Sequence, residues 1–186
     1  MTAKEKQIQF IKTFLKPTLK SFNYQTSGQT WWQDKGDFFT LINLQNFSWN
    51  NKDSVDFCFN IGIVLKVTMK DLGNKSPTYH NLTVYLREGY YLPPNRSVHE
   101  FRNKTGYRVN GQTDFNAFMN ELRIDFIDHI LPALEELNSI QSCVDNFGDV
   151  PFWGEHLKKV LTLPELNLHD RTQTTDLTKP NQFAKG

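Results

Sequence analysis

Between Val55 and Leu65 apolar side chains recur at every second position: Val55, Phe57, Phe59, Ile61, Ile63 and Leu65 alternate with Asp56, Cys58, Asn60, Gly62 and Val64. A period of two predicts an extended strand with one face against a core. Residues 37–49 carry the same period, with Phe39, Leu41, Asn43, Gln45, Phe47 and Trp49 on one side and Phe38, Thr40, Ile42, Leu44, Asn46 and Ser48 on the other. Neither side is wholly polar. That predicts a sheet with helices on one face and partial cover on the other, rather than a face left to water. The polar stretch Asn50-Asn51-Lys52-Asp53 returns the chain between the two strands.

The flanking segments add elements of both kinds. Ile8, Ile11, Phe14, Leu15, Leu19 and Phe22 recur at three- and four-residue steps, which predicts an amphipathic helix over residues 5–22 that Pro17 kinks or splits. A short strand over 29–33 places Trp31 and Trp32 on opposite faces, and Asp34-Lys35-Gly36 turns it into the first long strand. A further strand spans 81–92 until Pro93-Pro94 stops it, and an edge strand spans 99–110, where Arg102, Lys104 and Arg108 discourage pairing with another chain. From Thr113 an apolar stripe through Phe115, Phe118, Leu122, Phe126, Ile130, Leu134 and Leu137 predicts the main helix, kinked at Pro132. Two shorter helices follow, one over 140–147 closed by Gly148 and one opened by Pro151. This order predicts an α+β fold, an antiparallel meander of four to five strands with helices packed mainly on one face. Residues 1–163 form the expected single domain, and residues 164–186 read as a polar, loosely attached tail.

Composition narrows the partners. With 15 Phe, 6 Tyr and 4 Trp, aromatic rings supply much of the buried area of the 186-residue chain. The formal net charge of +1 gathers on no element, so nucleic acid and anionic membrane are not expected partners. Cys58 and Cys143 lie far apart without a CxxC pair and read as reduced, buried thiols. The first residues have no uninterrupted apolar run and no cleavage site, so the expected location is cytoplasmic.

Motifs that carry chemistry are missing: there is no GxSxG, no phosphate-binding glycine loop and no HExxH. No cofactor and no metal are expected. Asp125 and His129, with Glu121 one turn earlier, sit at helical spacing and read as an ordinary surface pair. What stands out is three amides, Asn43, Gln45 and Asn60, at strand positions where a plain core would hold Val or Ile. With Arg87 they could read a carboxylate, a phosphate or a peptide backbone by directional hydrogen bonds. The commoner arrangement is that such groups satisfy one another across the sheet. Trp31, Trp32, Trp49, Tyr90 and Tyr91 have a second reading as anchors for a partner, with Trp31 and Trp49 the ones assigned to the site.

The segments Lys16-Pro17, Lys20, Thr30-Trp31, Asn43-Leu44-Gln45, Phe59-Asn60-Ile61-Gly62 and Leu86-Arg87 resemble the bacterial domain-of-unknown-function family 4304, over roughly residues 8–137. The resemblance implies a fold type and a polar strand cluster, and it supplies no catalytic residue. The chain departs from the pattern at Val84-Tyr85, where a His is expected before the Arg, and at Gly106-Tyr107, where a Trp pair is expected. The expectation is therefore a small non-catalytic binding or interaction protein, immunity-like or accessory, that takes a protein partner through Asn43, Gln45, Asn60, Arg87, Trp31 and Trp49. The alternative is an enzyme acting on a phosphate- or carboxylate-bearing small molecule, with Arg87 on the anion. Oligomeric state leaves no mark in the sequence.

Overall fold

The computed structural model describes residues 1–72 and 76–162. At its centre lies a seven-stranded antiparallel sheet of β1 (Gln25–Ser27), β2 (Thr30–Asp34), β3 (Phe38–Asn46), β4 (Ser54–Leu65), β5 (Val84–Arg87), β6 (Arg102–Asn103) and β7 (Gly106–Asn110). The strands follow the order β1-β2-β3-β4-β7-β6, and β5 pairs with β4 beside that path. The α+β class and the antiparallel sheet match the sequence pattern, but the four to five strands expected are seven. Two of them, β1 with 3 residues and β6 with 2, are too short to show a period. The strand expected over 81–92 shrinks to β5, because Glu88–Tyr91 turns into a 3-10 helix. The tail expected over 164–186 lies outside the described residues.

β4 is the organising strand, and its 12 residues exceed the length of any neighbour. One edge pairs with β3 from Phe57 to Leu65, in a register that sets Asn43 opposite Asn60 and Gln45 opposite Cys58. The other edge is shared end to end. β7 covers Ser54 to Phe57 and β5 covers Asn60 to Ile63, which leaves Cys58 and Phe59 in a gap between them.

Helical segments cover the face that carries Phe57, Phe59, Ile61 and Ile63. They are α1 (Ala3–Phe10), α2 (Lys16–Ser21), α3 (Phe115–Ile124), α4 (Leu131–Glu135), α5 (Ile140–Phe147) and α6 (Trp153–Leu161). α1 and α2 are joined by a π-helical segment (Ile11–Leu15), and α3 and α4 by another (Asp125–Ile130). Each lies just ahead of a proline, Pro17 or Pro132. A proline ring clashes with the carbonyl four residues earlier and leaves it without a donor, and a widened turn moves that carbonyl aside while the rod continues. The kinks expected at the two prolines are thus wide turns, and Phe14 of one meets Phe126 of the other edge to face at 6.3 Å. Phe126 also stands edge-on to Phe59 at 4.9 Å, which ties the main helix to the centre of β4.

The second face of the sheet is different. Leu41, Val64, Met69 and Leu82 form a small apolar cluster at one end, flanked by Phe39 and Tyr85. Gly62 opens this end to β5, because a Cβ on it would stand 1.8 Å from the Val84 carbonyl oxygen. Since backbone cannot move aside cheaply, Gly62→Ala is expected to cost about 2 kcal/mol in urea unfolding by prising β5 from β4.

Candidate functional site

Strand alternation places Thr30, Asn43, Gln45, Cys58, Asn60, Tyr85 and Arg87 together on the second face, next to the small apolar cluster. Asn60 is the hub, and it is 1% exposed. Its Nδ2 donates to Asn43 Oδ1 and to Gln45 Oε1, both at 3.1 Å. Its Oδ1 accepts from the Tyr85 hydroxyl and from Arg87 Nη1, both at 2.8 Å. This orientation of the amide suits its partners, since the reverse would set its N–H groups against the Arg87 donor and its oxygen against the oxygens of Asn43 and Gln45. Asn43 in turn donates through Nδ2 to Thr30 Oγ1 at 2.9 Å and to the Gln29 carbonyl at 3.3 Å.

The amides are therefore bound to one another and to nearby backbone, as buried polar groups generally are. Gln45 and Arg87 nevertheless reach solvent. Arg87 Nη1 also donates to Gln45 Oε1 at 3.3 Å and lies on Cys58 Sγ. That leaves an asymmetry: the amide oxygens of Asn43, Gln45 and Asn60 all accept inside the cluster. Gln45 Nε2 and Arg87 Nε and Nη2 have no acceptor among the described residues, so the cluster presents donors outward.

Acid–base chemistry is poorly served here. Burial pushes the Cys58 thiol up to about 12, outweighing the pull of the Arg87 charge the other way. Burial likewise raises the Tyr85 hydroxyl, whose proton is already committed to Asn60. Cys143 is also a free, buried thiol, pushed up to about 12 by burial. Among the described residues no group of His, Cys, Asp or Glu is arranged to hold a metal.

The rest of the second face is paired. Asp56 accepts from Arg108 Nε at 2.6 Å and from the Trp49 indole N–H at 2.9 Å. That bond fixes Trp49, which stacks on Phe47 at 4.6 Å and is 62% exposed. At the other end Lys66 holds Asp34 at 2.7 Å. Trp31, assigned to the site from sequence, is instead 1% exposed in the main core. It lies on the other face, because strand alternation turns it toward the helices. Trp32 is the member of the pair that lies on the second face, and it is buried there. Tyr90 is partly exposed and donates to the Asn146 carbonyl at 2.9 Å.

Asp125 is no surface partner of His129. It is fully buried, accepting from Arg96 Nε at 2.5 Å and from the Tyr107 hydroxyl at 2.8 Å. Nor does Arg102 guard an edge, since it is buried and donates to Glu88 Oε1 at 3.2 Å. Sequence reasoning missed both pairs because their members stand 14 and 29 positions apart with no shared period. A cavity of about 250 Å³ beside α3 is lined by His99, Glu100, Phe101, Ala117, Asn120 and Glu121, and no residue of the amide cluster reaches it.

The cluster, the two long strands and the gap in β4 all fall within residues 15–136, which match the family described as Domain of unknown function (DUF4304). The chain belongs to the DUF4304 family. No curated protein and no solved structure matches it. The DUF4304 span includes every residue of the Asn60 network and ends just past α4, so α5 and α6 lie beyond it. Tyr85, standing where the resemblance leads one to expect a His, supplies the hydroxyl that fixes Asn60. Among the described residues no helix is long and apolar enough to cross a membrane.

Proposed function

We propose that this DUF4304 protein is a non-catalytic binding protein, of an accessory or immunity-like kind, that recognises a protein partner through the second face of its sheet. The observation that carries this reading is the one-way polarity of the Asn60 network. Amide oxygens are spent inside, while Gln45 Nε2 and two nitrogens of Arg87 point donors at solvent from a base that buried amides hold in place. Such an array suits a ligand made of acceptors, and it costs little ordering on binding because its members are already fixed. Trp49, held by Asp56 and stacked on Phe47, adds a rigid aromatic anchor on the same face. The raised Cys58 thiol and the committed Tyr85 hydroxyl support recognition over turnover.

The test is affinity capture from the cells that produce the protein, comparing wild type with Arg87→Ala and Trp49→Ala at several salt concentrations. Wild type is expected to retain a stoichiometric partner that each variant holds about 30-fold more weakly, the loss typical of an interface anchor. Thermal unfolding of both variants is expected to stay within a few degrees of wild type, as both residues are exposed. No stoichiometric partner at any salt concentration, or full retention by both variants, overturns the reading.

A further inference from the structure

Beside the donor cluster runs a row of aromatic rings that begins at Tyr85. The Arg87 guanidinium lies 5.9 Å from the centre of the Tyr85 ring. Tyr85 meets Trp153 edge to face at 5.7 Å, and Trp153 meets Phe152 in the same manner at 4.8 Å. Phe152 ends the row at 69% exposed. Its backbone is the unusual part: φ is 66° and ψ is −55°, and the Trp153 N–H donates back to the Pro151 carbonyl at 2.8 Å. That is the rare γ-turn geometry, strained for any residue with a side chain. The sequence placed Pro151 at the first position of a helix, whereas α6 begins at Trp153 because this turn intervenes.

The turn is fixed from behind. Gly154 packs backbone on backbone, so that a Cβ on it would stand 2.2 Å from the Gly148 carbonyl oxygen. A bulky apolar side chain is thus held in a costly conformation and turned to water. The hydrogen bonds of the turn fix it, but burial of the Phe152 ring offsets none of the strain in the free protein, and strain of this kind concentrates where a ligand is clamped. Charge adds the second half. On the second face Asp56 is matched by Arg108 and Asp34 by Lys66, while Arg87 has no carboxylate partner among the described residues.

We propose that Arg87, Gln45 and the row Tyr85, Trp153, Phe152 form one site for the C-terminal residue of a partner chain. Its carboxylate meets the free donors of Arg87 and Gln45, and its bulky apolar side chain lies along the rings. This rests on the binding role proposed above and names its ligand. A carboxylate has two oxygens in one plane, which suits a guanidinium edge with one amide N–H beside it. Of the apolar half, Tyr85 lies inside the DUF4304 span with Arg87 and Gln45, while Phe152 and Trp153, at the start of α6, lie outside it, so the far end of the row belongs to this chain's own C-terminal helices.

The full chain, labelled with nitrogen-15, is titrated with N-acetylphenylalanine, its primary amide, sodium acetate and inorganic phosphate. The side-chain N–H signals of Arg87 and Gln45 and the Trp153 indole are followed by NMR. N-acetylphenylalanine is expected to shift all three saturably, with a Kd on the order of 1 mM for so small a fragment. The amide and acetate are each expected to bind about tenfold more weakly, one lacking the charge and the other the ring. Arg87→Ala abolishes the shifts. Phe152→Gly is expected to weaken N-acetylphenylalanine at least threefold, leave acetate unchanged and raise the melting temperature, because Gly adopts the turn without strain. Equal binding of acid and amide, tighter binding of phosphate, unaltered binding by Phe152→Gly, or no saturable shift with any probe overturns the proposal. If the probes fail while Arg87→Ala still releases a captured partner, the C-terminal-residue reading falls alone. If the probes bind and no partner is captured, the site stands as a carboxylate site and the partner reading falls.

Discussion

Replacing Glu88 by Ala is expected to lower the unfolding free energy by about 4–5 kcal/mol, the largest effect of any single exchange outside the aromatic core. The reason lies in the gap on β4. Between the ends of β5 and β7 the Phe59 N–H has no strand to donate to, and Glu88 Oε2 accepts it at 2.7 Å. Oε1 of the same carboxyl accepts from the buried Arg102 at 3.2 Å. One side chain at the end of β5 thus joins β4, through Phe59, to Arg102 of β6. Removing it strands a buried guanidinium and a buried backbone N–H together. Glu88→Gln keeps an acceptor for Phe59 and is expected to cost about 2 kcal/mol less than Ala, which urea unfolding of the two variants resolves.

The same residue sets a pH dependence. Burial raises the Glu88 carboxyl above its ordinary value, outweighing the Phe59 N–H and the Arg102 charge that pull it down. The folded state then holds a proton that the unfolded chain has released, so Glu88's contribution is full below the ordinary carboxyl range and declines as pH rises through the folded value. Wild type is expected to lose stability relative to Glu88→Gln on going upward from pH 4.5. Parallel stability curves for the two proteins would show that the carboxyl is not raised.

How much of this was legible in the sequence depends on the range over which a signal acts. Alternation in residues 55–65 separates Phe57, Phe59 and Ile61 from Cys58 and Asn60, and the fold keeps that separation on the two faces. The same rule assigns Asn43 and Gln45 to the face of Asn60, where the network forms. Alternation reports the face and leaves cover open. Trp31 and Trp32 must face opposite sides, but the pattern does not say which meets the helices: Trp31 sits in the core, and Trp32 is buried on the second face. Glu88, Arg102 and Asp125 look like solvated charges because their partners come from other segments, and no local pattern records a pairing made only by the fold. The turn at Phe152 was hidden for another reason. Pro151 is an ordinary helix opener, and the positive φ arises from packing between Gly148 and Gly154 that composition does not announce.

The second large effect is expected at Asp125. Asp125→Ala removes acceptors from Arg96 Nε and from the Tyr107 hydroxyl, which is itself buried, and should cost about 4 kcal/mol, or on the order of 10 °C in melting temperature for a chain of this size. Arg96 keeps Glu121, whose carboxylate it meets at 2.8 Å, so the uncompensated group is mainly Tyr107. Tyr107→Phe is accordingly expected to cost about 2 kcal/mol on its own and much less in the Asp125→Ala background, which a double-mutant cycle measures. Asp125 opens the π-helical segment of the main helix, and Phe126 beside it packs on Phe59. The polar and aromatic contacts of that wide turn therefore reach the sheet through adjacent residues. If the two exchanges add without coupling, the hydroxyl and the carboxylate do not support one another, and Asp125 is held by Arg96 rather than by Tyr107.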